Sequence, residues 1–202
     1  MKRIVSIIMI LTALALAFTS CGSPEDEKPD IYSSLNKMVG ENYSSLTVEI
    51  TTSNSFGELN SVYVITNNED SQNVAYTEEI LATFDVVDGE YVVPNDYKEK
   101  YSGSVEISKN DEDESFTSPG GILLNDLGNP KFNFQSTYFS SVINNNESFK
   151  ADVTNPSDFL GKALDAKDMT LSVSFNTDKL KSIVIEYELS SGTRETVTYT
   201  FA

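Results

Sequence analysis

Between Met169 and Phe201, three successive runs of the chain carry an apolar residue at every second position. Met169, Leu171, Val173 and Phe175 make the first run, Ile183, Ile185, Tyr187 and Leu189 the second, and Val197, Tyr199 and Phe201 the third. Side chains alternate faces along a strand, so each run presents one apolar face and one polar face. The breaks, Asn176–Lys179 and Ser190-Ser191-Gly192, hold the residues that turns favour. Three consecutive antiparallel strands with a single greasy face must be covered by a second layer.

The first part of the chain offers both more strand and a cover. Ile31, Leu35, Met38 and Val39 follow helical spacing after Asp30, and Gly40 supplies a stop. The period then changes to two, with Leu46, Val48 and Ile50 alternating with Thr47, Glu49 and Thr51. A Ser/Asn/Gly stretch at 53–60 reads as a loop, and Ser61–Thr66 as a strand rich in β-branched and aromatic residues. Asn67–Asp70 is a turn signal. Residues 73–84 read as a third strand with less clean alternation. Asp88-Gly89 between Val86-Val87 and Tyr91-Val92-Val93 is a tight-hairpin signal.

Residues 94–131 predict only one strand, Ser104–Ser108, among polar loops that include Ser118-Pro119-Gly120-Gly121. Order is expected to return at Phe132-Asn133-Phe134. Asn155-Pro156 offers a cap and a proline for a short helix through Phe159-Leu160, which Gly161 ends. The predicted fold class is α+β: mostly an antiparallel β meander curved into a half-barrel, covered by short helices, in one domain over 31–202.

The N-terminal residues describe an address. Lys2 and Arg3 precede an apolar run from Ile4 to Phe18, then Thr19-Ser20 and the only cysteine of the chain, Cys21. This is the layout of a secretory signal. The apolar run falls short of the roughly 20 residues a membrane-spanning helix needs. Phe18-Thr19-Ser20-Cys21 resembles the lipobox of bacterial lipoproteins, although Phe18 departs from the usual aliphatic residue. The resemblance implies a signal peptide over 1–20, lipid attachment at Cys21, and a flexible acidic tether over 21–30. Ordinary cleavage after Ala15-Leu16-Ala17 is the competing reading, and would leave Cys21 as a free thiol. Each buried methylene of an acyl chain contributes about 0.8 kcal/mol, so several chains anchor firmly where one does not.

Removing Lys2 and Arg3 from the 14 basic residues leaves 12 against 31 acidic ones, a formal net charge of −19. Such a surface repels nucleic acid and anionic headgroups alike, so the acyl chains must tether without basic help. With one cysteine, no disulfide can form within the chain, and the fold rests on its hydrophobic core.

The order of helix, long meander, short helix and closing hairpins resembles the lipoprotein-carrier superfamily, the half-barrels of the LolA and LppX kind. The residues that carry the likeness are Leu35 with Tyr43-Ser44-Ser45-Leu46, Phe159-Leu160-Gly161, Asp168-Met169-Thr170-Leu171 and Lys179-Leu180-Lys181-Ser182-Ile183. It covers about 31–93 and 149–202, while 94–131 is longer and more polar than the pattern. The resemblance implies an apolar cavity for acyl chains and offers no residue-level ligand motif. The aromatic residues, among them Tyr63, Tyr76, Phe132, Phe134 and Phe175, would either line such a cavity or fill a core.

Catalytic chemistry finds little to stand on. The chain has no histidine, which removes the Ser-His-Asp triad, the Cys-His pair and the histidine zinc sites. No phosphate-binding glycine loop is present. Ser34-Leu35-Asn36-Lys37 fits Ser-x-x-Lys, but the Ser-Asp-Asn and Lys-Thr-Gly elements that accompany it in penicillin-binding enzymes are missing. Read as a calcium loop from Asp111, the acidic run puts Phe116 at the turn-glycine position and Ile122 at the bidentate-glutamate position. A solvated loop explains it better. Among so many acids no glycosidase pair can be singled out.

The expectation is therefore a non-enzymatic lipoprotein of the cell envelope, outside the cytoplasm, held to the cell membrane or outer membrane by lipid on Cys21. It needs no cofactor or metal, binds no nucleic acid, is a monomer, and holds a lipid or other hydrophobic ligand in the half-barrel. The alternative is a structural or interaction lipoprotein with a packed core and an acidic partner-binding surface.

Overall fold

The computed structural model describes residues 30–82, 85–92, 98–109 and 115–202. Cys21, the expected signal peptide and nearly all of the expected acidic tether lie outside these residues, as does the run 110–114.

The chain opens with helix α1 (Ile31–Val39), which begins directly after Asp30 and buries Leu35 and Met38. Four strands follow: β1 (Ser45–Asn54), β2 (Gly57–Asn67), β3 (Ser71–Ala82) and, after a small separate hairpin of β4 (Asp85–Val87) and β5 (Glu90–Val92), β6 (Lys98–Ser108). An irregular segment then runs from Ser115 to Tyr138 with two single 3-10 turns. Strands β7 (Phe139–Asn144) and β8 (Ser148–Val153), helix α2 (Pro156–Leu160), and strands β9 (Ala166–Phe175), β10 (Leu180–Leu189) and β11 (Arg194–Phe201) complete the chain.

Nine strands form one antiparallel sheet in the order β6-β3-β2-β1-β11-β10-β9-β8-β7. It consists of two meanders, β1-β2-β3-β6 and β7 to β11, joined where the first long strand pairs with the last, Leu46 opposite Phe201 and Ile50 opposite Val197. The alternation read from the sequence sets the inner face. Leu46, Val48, Ile50, Met169, Leu171, Val173, Phe175, Ile183 and Ile185 are all buried there. Both helices pack on this face, Leu35 and Phe159 being completely buried.

The Asp88-Gly89 turn is present, with φ of 52° and 84° at its two central residues, as a two-residue hairpin of this hand requires. Helix α2 is capped as expected. The Asn155 side chain accepts a hydrogen bond from the Asp158 amide at 3.4 Å, and Gly161 leaves the helix at a left-handed φ of 62°.

Four expectations need correction. The 53–60 loop is strand: β1 and β2 continue to a two-residue turn, Ser55-Phe56, in which Asn54 Oδ1 accepts from the amides of Phe56 and Gly57 at 2.8 and 3.2 Å. The strand at Ser104–Ser108 is the end of a longer one. Phe132-Asn133-Phe134 is irregular chain whose two rings are buried. The strands β7 and β8 are further additions: β7 is an edge strand, exposed beyond Phe139 and bulged around Ser141 at φ 52°, while β8 does alternate, burying Phe149, Ala151 and Val153.

Candidate functional site

The two meanders carry different interiors. Beneath the helices, β8 and its neighbours are filled with aromatic rings. Phe139 meets Phe134, Phe149 and Phe159 at centroid distances of 5.9, 5.5 and 5.5 Å, and Tyr32 of α1 stacks on Phe139 at 5.9 Å. Stacked and edge-to-face packing of this kind leaves little open space.

Open space occurs instead where the two meanders join. A cleft of about 600 Å³ lies at the end of the sheet where β1 begins and β2 ends. Its floor is apolar: Val39 from the end of α1, Leu46 of β1, Phe201 of β11 and the Tyr43 ring, which packs on Phe201 at 4.7 Å. Its rim carries the side-chain amides of Asn42, Asn67, Asn68, Gln72 and Asn129, with Glu41 and Lys109. Tyr43 is fixed from both sides, its hydroxyl donating to the Met38 carbonyl at 2.9 Å and accepting from the Leu180 amide at 3.0 Å. Burial pushes that phenol up from its ordinary pKa, against the Leu180 hydrogen bond, which lowers it. Lys109 donates to the backbone carbonyls of Asn68 and Glu69, closing the β2–β3 turn. A second cleft of about 260 Å³, lined by Phe132, Leu160 and Tyr199, flanks the first across Asn129-Pro130.

The first meander also holds a buried polar cluster. Ser61, Tyr63 and Glu78 point inward from β2 and β3, all at most 2% exposed. The Tyr63 hydroxyl donates to Glu78 Oε1 at 2.5 Å, and the Gly120 amide donates to Oε2 at 2.6 Å. Burial, followed by the Glu78 carboxylate, pushes the Tyr63 phenol up to about 12, with the Ser61 and Ser118 hydroxyls acting the other way. Ser61 Oγ lies beside the phenol without closing a hydrogen bond of ordinary geometry. The alternation of β3 was irregular in the sequence because Glu78 occupies an inward position. That irregularity was the available signal for the cluster.

Cys21 and Asp111–Glu114 lie outside the described residues. Ser34 and Lys37 sit on the outward part of α1, Lys37 exposed and Ser34 half-buried. Among the described residues no three carboxylates converge as a metal site would need. Chemically, the cleft offers an apolar floor, neutral amide donors and acceptors, one lysine and one glutamate. No protein-family model matches the chain, and no curated protein matches it either.

Proposed function

We propose that the chain is a non-enzymatic, extracytoplasmic lipoprotein, anchored to the cell membrane or outer membrane through lipid on Cys21. Its folded part is a half-barrel module that binds a lipid or other hydrophobic ligand. The observation that carries this reading is the 600 Å³ cleft with Val39, Leu46, Tyr43 and Phe201 on its floor and amides on its rim. Its volume falls within the roughly 300–1,000 Å³ of small-molecule sites, which combine an apolar wall with a few orienting polar groups. Apolar floor and amide rim together favour an amphipathic molecule, with its hydrocarbon on the floor and its head at the rim. The lack of histidine and the mature net charge of −19 weigh against catalytic and nucleic-acid roles.

The Phe134–Phe139–Phe149–Phe159 cluster favours a second reading, in which the interior is simply packed and the acidic exterior meets a protein partner. One experiment separates the two. Full-length protein is purified in detergent from a bacterial envelope, and its organic extract is analysed by mass spectrometry. The binding reading expects one amphipathic species in near-stoichiometric amount, depleted by Ser44→Trp, which narrows the cleft. An empty wild-type extract, with no saturable uptake of added fatty acid, would leave the interaction reading. Palmitate labelling of the same protein should vanish in Cys21→Ala, and persistent label would refute the anchor.

A further inference from the structure

Phe132, Leu160 and Tyr199 give the second cleft, of about 260 Å³, an apolar floor, and Lys131, Lys162 and Asp126 stand around it. Packing fixes that floor: the Tyr199 ring meets Phe132 edge-on at 5.3 Å, and Phe132 stacks on Phe159 at 5.6 Å. Both lysines are exposed and neither has an acidic partner, the ion pairs among the described residues being Lys98–Glu79 and Arg194–Glu188. The Tyr199 hydroxyl is uncommitted as well. Tyr43, Tyr63 and Tyr187 donate theirs to Met38, Glu78 and Glu195, whereas that of Tyr199 has no hydrogen-bond partner among the described residues. The unpartnered side-chain oxygen that is sealed from solvent is Ser61 Oγ, so the Tyr199 oxygen reaches solvent, on a residue that lines this cleft. Burial pushes the phenol up to about 12, and at neutral pH it is a donor. In a chain of 31 acidic and 14 basic residues, a cleft with two lysines and one aspartate runs against the prevailing sign.

We propose that the second cleft is the anion site of an amphipathic ligand: the Lys131 and Lys162 ammonium groups and the Tyr199 hydroxyl take a carboxylate head, whose acyl chain crosses Asn129-Pro130 to the apolar floor of the first cleft. A carboxylate accepts about four hydrogen bonds on its two oxygens, enough for all three donors. Two lysines against Asp126 leave one net positive charge, which matches a singly charged head and under-compensates a doubly charged phosphate monoester. Asn129 and Pro130 line both clefts, so the head and chain of one molecule lie on either side of the same two residues. The cation of the first cleft is a poorer partner for the head. Lys109 already donates to the carbonyls of Asn68 and Glu69, and Glu41 shares its rim. The placement of the chain rests on the first cleft being a binding site. The anion site itself does not.

The test separates head from chain with three probes, added to full-length protein in nonionic detergent at about pH 8, where carboxylates and lysines are both charged. Butanoate carries the head on a short chain, dodecanol the chain without the charge, and dodecanoate both. In nuclear magnetic resonance of isotope-labelled lysine and tyrosine, butanoate should move the Lys131, Lys162 and Tyr199 signals to saturation while exposed Lys167 and Lys179 stay still. Dodecanoate should bind saturably. The paired changes Lys131→Met and Lys162→Met should weaken it about fivefold or more and leave dodecanol within about twofold. Tyr199→Phe should weaken dodecanoate alone, and by less. Dodecanoate binding unchanged in the double variant would overturn the anion site. So would a loss shared equally by dodecanol, which would show the lysines acting through their apolar stems. Butanoate shifts with no tighter hold on dodecanoate would keep the anion site, for a free carboxylate, and sink the binding reading of the first cleft. Dodecanol uptake blocked by Ser44→Trp, with Lys131 and Lys162 silent toward butanoate, would sink the anion site alone. Silence toward all three probes would overturn both.

Discussion

The two meanders share one sheet and one inner face, yet they are closed by different chemistry. In β7 to β11 the inner face is held by apolar contact: Phe149, Met169, Leu171, Val173 and Ile183, with Phe159 of the covering helix, are all at most 2% exposed. In β1-β2-β3-β6 apolar contact from Val48, Ile65 and Val74 is interrupted by Ser61, Tyr63 and Glu78, and the cover adds a hydrogen bond from Gly120 to Glu78 beside its own buried Leu124 and Leu127. Apolar contact is insensitive to direction, whereas the hydrogen bonds of a buried carboxylate depend on it. The second meander is thus a scaffold. The first carries polar groups in its interior and the cleft at its end.

The largest expected effect breaks the scaffold. Phe149→Ala removes a ring that packs edge-on to Tyr32, Phe134 and Phe139, and should cost about 3–5 kcal/mol in urea unfolding of the whole domain. A loss of less than about 1 kcal/mol would mean that the aromatic cluster is loosely packed. Next comes Glu78→Ala, which orphans the Tyr63 hydroxyl and the Gly120 amide at about 1–3 kcal/mol for each donor left unsatisfied. Hydrogen exchange should locate that loss in 118–122 first. Uniform loss across both meanders would erase the contrast.

Alkaline titration sharpens the comparison differently, because raised phenols sit in both halves. Tyr63 in the first meander and Tyr199 in the second are each pushed up to about 12 by burial, and Tyr187, buried and donating to Glu195, is raised as well. A pKa above its unfolded value of 10 means that folding favours the protonated form. This contribution is therefore complete below about pH 10 and is lost as pH rises through about 12. Thermal melts should be flat in this respect at neutral pH and fall above about pH 10, and Tyr63→Phe should reduce the slope of that fall. The smallest effect is local. Asn155→Ala removes the cap of α2 and should cost about 1 kcal/mol. Because Phe159 of that helix is anchored in the aromatic cluster, circular dichroism should show the fold unchanged.

What the sequence revealed divides along the same line. Strands of the second meander were legible at β9, β10 and β11 because their inward residues are uniformly apolar, so period two is unbroken. Even β10 was bounded correctly at Leu180 and Leu189. The short helix at Pro156 was legible through its cap, its proline and Gly161. The cleft was not legible, since Leu46 and Phe201 meet only because the first long strand pairs with the last, a contact 155 residues apart in register. Glu78 was hidden for a related reason: one acid among 31 carries no mark until Gly120, 42 residues later, is folded against it. Strand β7 was obscured by exposure, with Val142 and Ile143 on the surface of an edge strand.

The central claim is that ligand is taken up at the junction of the meanders while the second meander stays closed. A fatty acid bearing a diazirine on its chain, photolysed with the full protein in detergent and mapped by peptide mass spectrometry, tests this directly. The account predicts saturable labelling of peptides containing Val39, Tyr43, Leu46 and Phe201, with none at Phe149 or Phe159. Labelling that never saturates, or that falls equally on the Phe149 and Phe159 peptides, would contradict it.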